Sequence, residues 1–219
     1  GVGYILDLKT FNAKGSLGKR INDYLLARDI DGQLYFTRGK NLTRYDPIST
    51  KEFIIPNAEE FTTHCITLIH DTIWIGTNLG AGQIIGDSIQ WVYKNKFPND
   101  HYGIKSICKD GQGNLWLGSY FQLYRFSPSA GQTDSFPLLQ NMDIRDIQLI
   151  RNKIFIGTYG NGYFIYHDDQ LIAMPKGRSL ELSNTHTFIE DKDGYLWMST
   201  NRGLYKTHME AVEAFLKDT

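Results

Sequence analysis

Tyr24, His64, Lys105, Arg145 and His186 stand at one equivalent position in successive copies of a repeated segment. All five side chains carry hydrogen-bond donors, and the lysine and arginine are cations at neutral pH. Such a set suits the gripping of carboxylate or sulfate oxygens, or of sugar hydroxyls, through charge-assisted and bidentate bonds. The residue before each of them is Asp23, Thr63, Ile104, Ile144 or Thr185, and strand alternation sends these two sets to opposite faces. The five donors thus form a candidate ligand-facing funnel, and the plain alternative is a hydrated channel lining that holds no ligand. Tyr102, Phe121 and Tyr159 lie in nearby loops and add rings able to stack on sugars.

Other chemistry finds less support. The six histidines include no His-x-x-x-His pair and the two cysteines no Cys-x-x-Cys pair, so no metal site is expected. Asp29-Ile30-Asp31-Gly32 and Asp191-Lys192-Asp193-Gly194 open like calcium loops but lack the closing glutamate, and a hairpin turn accounts for them better. The glycine-rich run from Gly76 to Gly82 joins two strands, without the helix N-terminus that makes a phosphate loop. There is no Gly-x-Ser-x-Gly elbow, and spacing nominates no nucleophile, base and orienter. No catalytic residue and no cofactor are therefore expected. Were the chain an enzyme, Asp23, Asp143, Asp146 and His186 would be the first groups to consider.

The elements that must position these residues show in an aromatic marker at Tyr35, Trp74, Trp116, Phe155 and Trp197, with spacings of 39, 42, 39 and 42 residues. A period near forty with strand-like content means stacked β units of the propeller kind. Each repeat divides by alternation and turn residues into four short strands; in the third they run from about Ile104 to Lys109, Leu115 to Ser119, Gln122 to Ser127 and Thr133 to Pro137. The first strand of a blade lines the channel, which is where the five donors fall. Asp-Gly turns join the first two strands in three copies, and His70-Asp71 and Arg151-Asn152 replace them in the two shorter ones. The marker belongs to the core between blades, and the small residues close behind it, Gly76, Ser119, Gly157 and Ser199, let the next strand pack closely.

Gly1 to Leu6 looks like Gly160 to Ile165, so the chain starts in mid-repeat. Two strands from this opening, sixteen from four complete repeats and three from the last give an all-β chain. The fold expected over residues 1–206 is a β-propeller of about five four-stranded blades, or a piece of a larger one, for example seven-bladed. In a piece, open blade edges would promote homodimers through strand pairing or contact with further blades. Residues 207–219 hold a Thr207-x-x-Glu210 capping box, then Met209, Val212, Phe215 and Leu216 at helical spacing, which predicts a short closing helix.

With 23 Lys and Arg against 24 Asp and Glu the formal net charge is -1, so no global field draws in nucleic acid or an anionic membrane. No apolar run approaches the roughly 20 residues needed to cross a bilayer. Cys65 and Cys108 lie one residue out of phase in neighbouring repeats, which predicts buried free thiols on opposite strand faces.

The pattern Asp-x-x-Gly-x-Leu-Trp-x-Gly/Ser-Thr-x-x-Gly-Leu-Tyr, clearest from Asp193 to Tyr205 and from Asp110 to Arg125, resembles the two-component regulator propeller repeat. The resemblance runs through all five copies. The second and fourth lack the Asp-x-x-Gly turn, and the second has Ala81-Gly82-Gln83-Ile84 where Gly-Leu-Tyr-Arg is expected. It implies the periplasmic sensor region of a bacterial hybrid two-component system, an inner-membrane receptor with a histidine kinase as output. Such a region binds an oligosaccharide or similar glycan, is itself non-catalytic, and passes a conformational or dimerisation signal onward. The family's second propeller, small β-sandwich, membrane helix and kinase are not in this sequence. The other classes are a propeller lyase or hydrolase acting on polysaccharide, and a protein-contact propeller with no small-molecule site.

Overall fold

The structure, a computed structural model, describes residues 4–6, 13–16, 26–38, 41–46, 48–49, 51–55, 61–96, 103–177 and 180–218. Strands β1 (Tyr4–Leu6) and β2 (Ala13–Ser16) pair as a two-stranded sheet. The first blade is β3 (Leu26–Arg28), β4 (Leu34–Arg38), β5 (Asn41–Asp46) and β6 (Lys51–Ile54). The second is β7 (Thr63–Ile69), β8 (Thr72–Thr77), β9 (Gly80–Ile85) and β10 (Ser88–Lys94). The third is β11 (Ser106–Lys109), β12 (Leu115–Gly118), β13 (Leu123–Ser127) and β14 (Gln132–Ser135). The fourth is β15 (Ile144–Ile150), β16 (Lys153–Thr158), β17 (Tyr163–His167) and β18 (Gln170–Ala173). The fifth has three strands, β19 (Thr185–Glu190), β20 (Tyr195–Thr200) and β21 (Gly203–His208), and helix α1 (Met209–Lys217) follows it directly. Every sheet is antiparallel in chain order. The first strands β3, β7, β11, β15 and β19 pack one against the next, so they are the inner strands of a five-bladed β-propeller.

The Asp-Gly turns are held by the first aspartate. Asp191 Oδ1 accepts the backbone N–H groups of Asp193 and Tyr195, both at 2.9 Å, and Oδ2 accepts the Trp197 indole N–H at 2.6 Å. Asp110 does the same with Gln112, Asn114 and Trp116 at 2.9 Å each. One carboxylate thus shapes the hairpin and fixes the marker indole of the following strand, which ties the recurring aspartate to the recurring tryptophan. The shorter Arg151-Asn152 turn has φ of 47° and 60° at its two residues, the left-handed pair of a tight two-residue hairpin.

Four of the five markers are buried between consecutive blades: Tyr35, Trp74, Trp116 and Phe155 are 6, 3, 1 and 0 % exposed. Each lies in a separate cluster with the inner strands of the next blade, as Trp116 does with Ile144, Ile147, Ile154 and Ile156. Such burial is the main driving force for joining the blades. Glycine two residues after the marker sets how close they come, and in the third blade that glycine is Gly118, one residue before Ser119. A Cβ on Gly76 would strike the Ile104 carbonyl oxygen, and one on Gly157 would lie 2.6 Å from the Thr185 carbonyl oxygen. The freed space lets Ile104 N–H reach Thr77 O at 3.0 Å and Ile144 N–H reach Ser119 O at 2.9 Å, backbone bonds from blade to blade.

The fifth blade leaves the corresponding face open. By ladder register Ile189, Trp197 and Leu204 match Cys108, Trp116 and Leu123 of the third blade. Ile189 and Leu204 are 62 and 65 % exposed where Cys108 and Leu123 are 8 and 0 %. Lys206 lies over Trp197 instead, its Nζ 5.0 Å from the ring centroid. Helix α1 seals the other side of the blade, burying Met209 and Val212 among Ile150, Phe155 and Met198, and Arg151 ties it down through Glu213 at 3.0 Å. Its cap differs from the expected Thr207 box. Thr207 stays in the sheet opposite Leu196, and the His208 Nδ1 accepts Glu210 N–H at 3.4 Å in its place. Sheet pairing thus carries the chain one residue further before the helix begins.

Cys65 and Cys108 are free, as expected. Burial pushes both thiols up to about 12, which keeps the nucleophilic thiolate scarce.

The repeat register yields a contrast. Leu123→Ala is expected to cost about 2–5 kcal/mol in urea unfolding, whereas Leu204→Ala at the matching exposed position stays within about 0.5 kcal/mol. A pH effect follows from the turns. The Trp197 indole and backbone bonds hold Asp191 below the usual carboxylate value; burial raises Asp110, but its bonds from Trp116, Asn114 and Gln112 outweigh this and leave it low. Both contribute stability present above the unfolded value of about 3.9 and lost as pH falls through the folded one. Replacing Asp110 and Asp191 with Asn is expected to flatten the drop in Tm below about pH 4.5, and an unchanged slope would rule the aspartate bonds out as its source.

Candidate functional site

Four of the five sequence-nominated donors lie among the described residues; Tyr24, and Asp23 before it, lie outside them. His64, Arg145 and His186 each sit in a β-bulge. Thr63 pairs with Thr77 and Cys65 with Gly76, so His64 and Cys65 together face one residue. Arg145 is the extra residue between Ile144–Thr158 and Asp146–Gly157, and His186 between Thr185–Thr200 and Thr187–Ser199. In the third blade Lys105 N–H donates to Gly118 O at 2.8 Å while Ser106 pairs with the same Gly118, which places Lys105 at the equivalent point and explains why β11 begins after it. A bulge re-aims its extra side chain, and bulges recur beside binding and catalytic sites. The residues before them, Ile104, Ile144 and Thr185, are 0 % exposed, so the opposed directions expected from alternation hold there.

Loops between the second and third strands bring the partners. Ser119 and Thr158 are buried and pin these loops by hydroxyl bonds to Gln122 O at 3.0 Å and Gly162 O at 2.7 Å. The residue after each, Tyr120 or Tyr159, is thereby turned toward the bulges. The corresponding residue of the fifth blade is Asn201. The Lys105 Nζ lies 3.6 Å from the Tyr120 ring centroid, and the Arg145 guanidinium carbon 4.9 Å from that of Tyr159. His64 meets Tyr120 edge to face at 6.4 Å, and Tyr159 lies 6.5 Å from His186. The His186 Nε2 bonds Asn201 Oδ1 at 2.6 Å. Asp143 closes the middle: Oδ1 takes Lys105 Nζ and Oδ2 takes Arg145 Nη2, both at 2.7 Å. One continuous belt results, from His64 through Tyr120, Lys105, Asp143, Arg145, Tyr159 and His186 to Asn201, across four blades.

The electrostatics of this belt are unequal. Two cations share one carboxylate, with side chains 13 % exposed at Lys105, 33 % at Arg145 and 19 % at Asp143. Burial pushes the Lys105 ammonium below its ordinary value, against the pull of Asp143, and the nearby Arg145 charge adds to the lowering. The arrangement offers N–H donors and ring faces, the equipment for holding oxygen-rich ligands.

Tyr120 and Asn201 escaped the sequence reading, which had chosen Phe121 in the same loop. The missed signal was phase: Asn78, Tyr120, Tyr159 and Asn201 all stand four residues after their markers. Tyr102 lies outside the described residues. Of the groups considered for catalysis, Asp143, Asp146 and His186 are engaged, His186 with Asn201. Asp143 holds the two cations, and Asp146 accepts Thr187 Oγ1 at 2.7 Å, Gln148 Nε2 at 3.0 Å and Phe188 N–H at 3.3 Å. Among the described residues no group of three or more His, Cys, Asp or Glu is placed to hold a metal ion. A groove of about 580 Å3 on the opposite face is lined by Trp116, Arg125, Arg151 and Lys153. There Asp134 already holds Arg125, and Glu190 and Glu213 hold Arg151.

The fold and this belt define a β-propeller with a basic and aromatic inner rim. The model of the family described as two component regulator propeller matches residues 97–121 and 179–202, stretches that contain Lys105 and His186. No curated protein sequence matches the chain. Among solved structures it is similar to the extracellular domain of a one-component system from B. thetaiotaomicron, with a TM-score of 0.75 and 18 % identity over 93 % of this chain and 30 % of that one. The extracellular domain of a hybrid two-component system from the same organism has a TM-score of 0.64 and 21 % identity over 85 % of this chain and 29 % of that one. Virginiamycin B lyase from Staphylococcus aureus is similar as well, at a TM-score of 0.65 and 14 % identity over 85 % of this chain and 69 % of the lyase. At these identities the likeness is one of fold, and the chain spans less than a third of the two extracellular domains. Among the described residues no helix is long and apolar enough to cross a membrane.

Removing Asp143 tests the belt. Asp143→Ala leaves Lys105 and Arg145 facing each other and is expected to lower stability by about 1–3 kcal/mol, less than the ~3–5 of a fully buried pair because all three groups retain some exposure. Adding Arg145→Gln is expected to restore part of that loss, read as a coupling in a double-mutant cycle.

Proposed function

We propose that this chain is the ligand-recognising part of an extracytoplasmic sensor, non-catalytic in itself, whose inner rim binds an oligosaccharide or similar glycan. The observation that carries the reading is the belt: donors from consecutive blades are turned by bulges into one line with two tyrosine rings. A sugar chain offers hydroxyls to the donors and C–H faces to the rings, and a line of sites across four blades suits more than one sugar unit. The two-component regulator propeller repeats, and the fold shared with extracellular domains of B. thetaiotaomicron signalling systems, support a sensor on the periplasmic side of an inner-membrane receptor. The kinase output lies in another part of such a receptor. Signalling would pass through blade-to-blade contacts or through pairing of two copies at the open fifth blade.

Calorimetric titration with a panel of plant and host oligosaccharides is expected to find saturable binding that falls at least tenfold in the Lys105→Ala, Arg145→Ala double variant. Undiminished affinity in a folded double variant would remove the belt from the site. Release of shorter saccharides from any panel member would move the chain to the lyase or hydrolase class.

A further inference from the structure

We infer that the glycan bound at the belt is acidic, carrying a carboxylate or sulfate that is received between Lys105 and Arg145 beside Asp143. This rests on the glycan-binding reading above and specifies the ligand class. The first ground is a surplus of donors. A lysine ammonium has three N–H bonds to give and an arginine guanidinium five, whereas Asp143 accepts one bond from Lys105 and makes an ion pair with one nitrogen of Arg145. The Arg145 Nε is buried with no acceptor within reach. A neutral hydroxyl accepts but also brings an O–H donor of its own, so it relieves such an excess less well than an oxyanion, which only accepts.

The second ground is charge. The other arginine ion pairs are matched or acid-rich: Asp134 faces Arg125, Asp87 faces Arg44, and Glu190 with Glu213 faces Arg151. Only at Asp143, among the described residues, do two cations share one acid. Lys105 and Arg145 also feel each other's charge. A second anion between them would balance the pair and offset that repulsion, and it would do so where neighbouring groups shield it from water. The third ground is the flank. Tyr120 and Tyr159 give one region of each ring to a cation, yet remain 39 and 48 % exposed. A sugar ring stacked on either tyrosine would bring a substituent to the adjacent cation.

The test uses matched trisaccharides titrated into the 219-residue chain: α-1,4-linked galacturonate, 6-sulfated galactose and glucuronate, each beside its neutral parent. At least one acidic member is expected to bind tenfold or more tightly than its parent, with affinity falling as NaCl is raised from about 50 to 300 mM, as expected for a screened ion pair. Lys105→Gln and Arg145→Gln are expected to abolish that preference, and Asp143→Asn to strengthen it. Lys105→Arg, which keeps the charge, should retain it and serves as the control should the Gln variants misfold. Equal or tighter binding of the neutral parents would overturn the acidic assignment and leave the glycan reading standing. Binding of none of the pairs would overturn both, and an acidic preference untouched in all folded variants would move the anion away from this belt.

Discussion

The structure depends on one close approach, made where the second and fourth blades meet the next, between a glycine in the second strand of one blade and the backbone of the next inner strand. At Gly76 and Gly157 the neighbouring carbonyl oxygens of Ile104 and Thr185 occupy the space a side chain would need. A small residue at that point is a steric requirement, because packed interiors have no spare volume for a methyl group against a carbonyl. The backbone bonds Ile104 to Thr77 and Ile144 to Ser119 follow from it. So does burial of the marker aromatics Tyr35, Trp74, Trp116 and Phe155.

The candidate site lies beside these approaches. The inner-strand ladder slips by one residue between Thr63 and Cys65 opposite Gly76, between Ile144 and Asp146 opposite Gly157, and between Thr185 and Thr187 opposite Ser199. The extra residue is turned out of the strand pattern, and in these blades it is histidine or arginine. The pinned loop after each marker then lays a tyrosine or asparagine against it. Scaffold and site are therefore adjacent without being the same residues: the Asp-Gly turn and tryptophan, the most visible part of the repeat, hold hairpins together, and the polar belt lies on the strand upstream.

Much of the fold was legible in the sequence. The marker spacing and the Asp-Gly turns carried the blade count, and the strand tally was met because each blade is a local meander whose strands pair with their neighbours in chain order. The closing helix was legible in type and its cap was not. The Thr207 box was overridden because ladder pairing holds Thr207 in the sheet opposite Leu196 and leaves the cap to His208. For the candidate site, phase alone picked out His64, Lys105, Arg145 and His186, because equivalent positions in a repeat acquire equivalent surroundings. The same phase marks Tyr120 and Asn201, four residues after their markers, but it does not place Asp143, whose bond to Lys105 is made between blades.

The sequence by itself determined what each repeat does locally: where its hairpins turn, which aromatic enters the wedge, and which polar residue stands on the inner strand. Only the tertiary structure decided that Asp143 is shared by the cations of two blades, that tyrosines cover Lys105 and Arg145, and that Ile189 and Leu204 stay exposed where their third-blade counterparts are buried. The physical reason is one of range. Turn and strand preferences act over a few neighbouring residues, whereas the Lys105–Asp143 pair and the burial between blades join residues about forty positions apart that only the stacking of blades brings together.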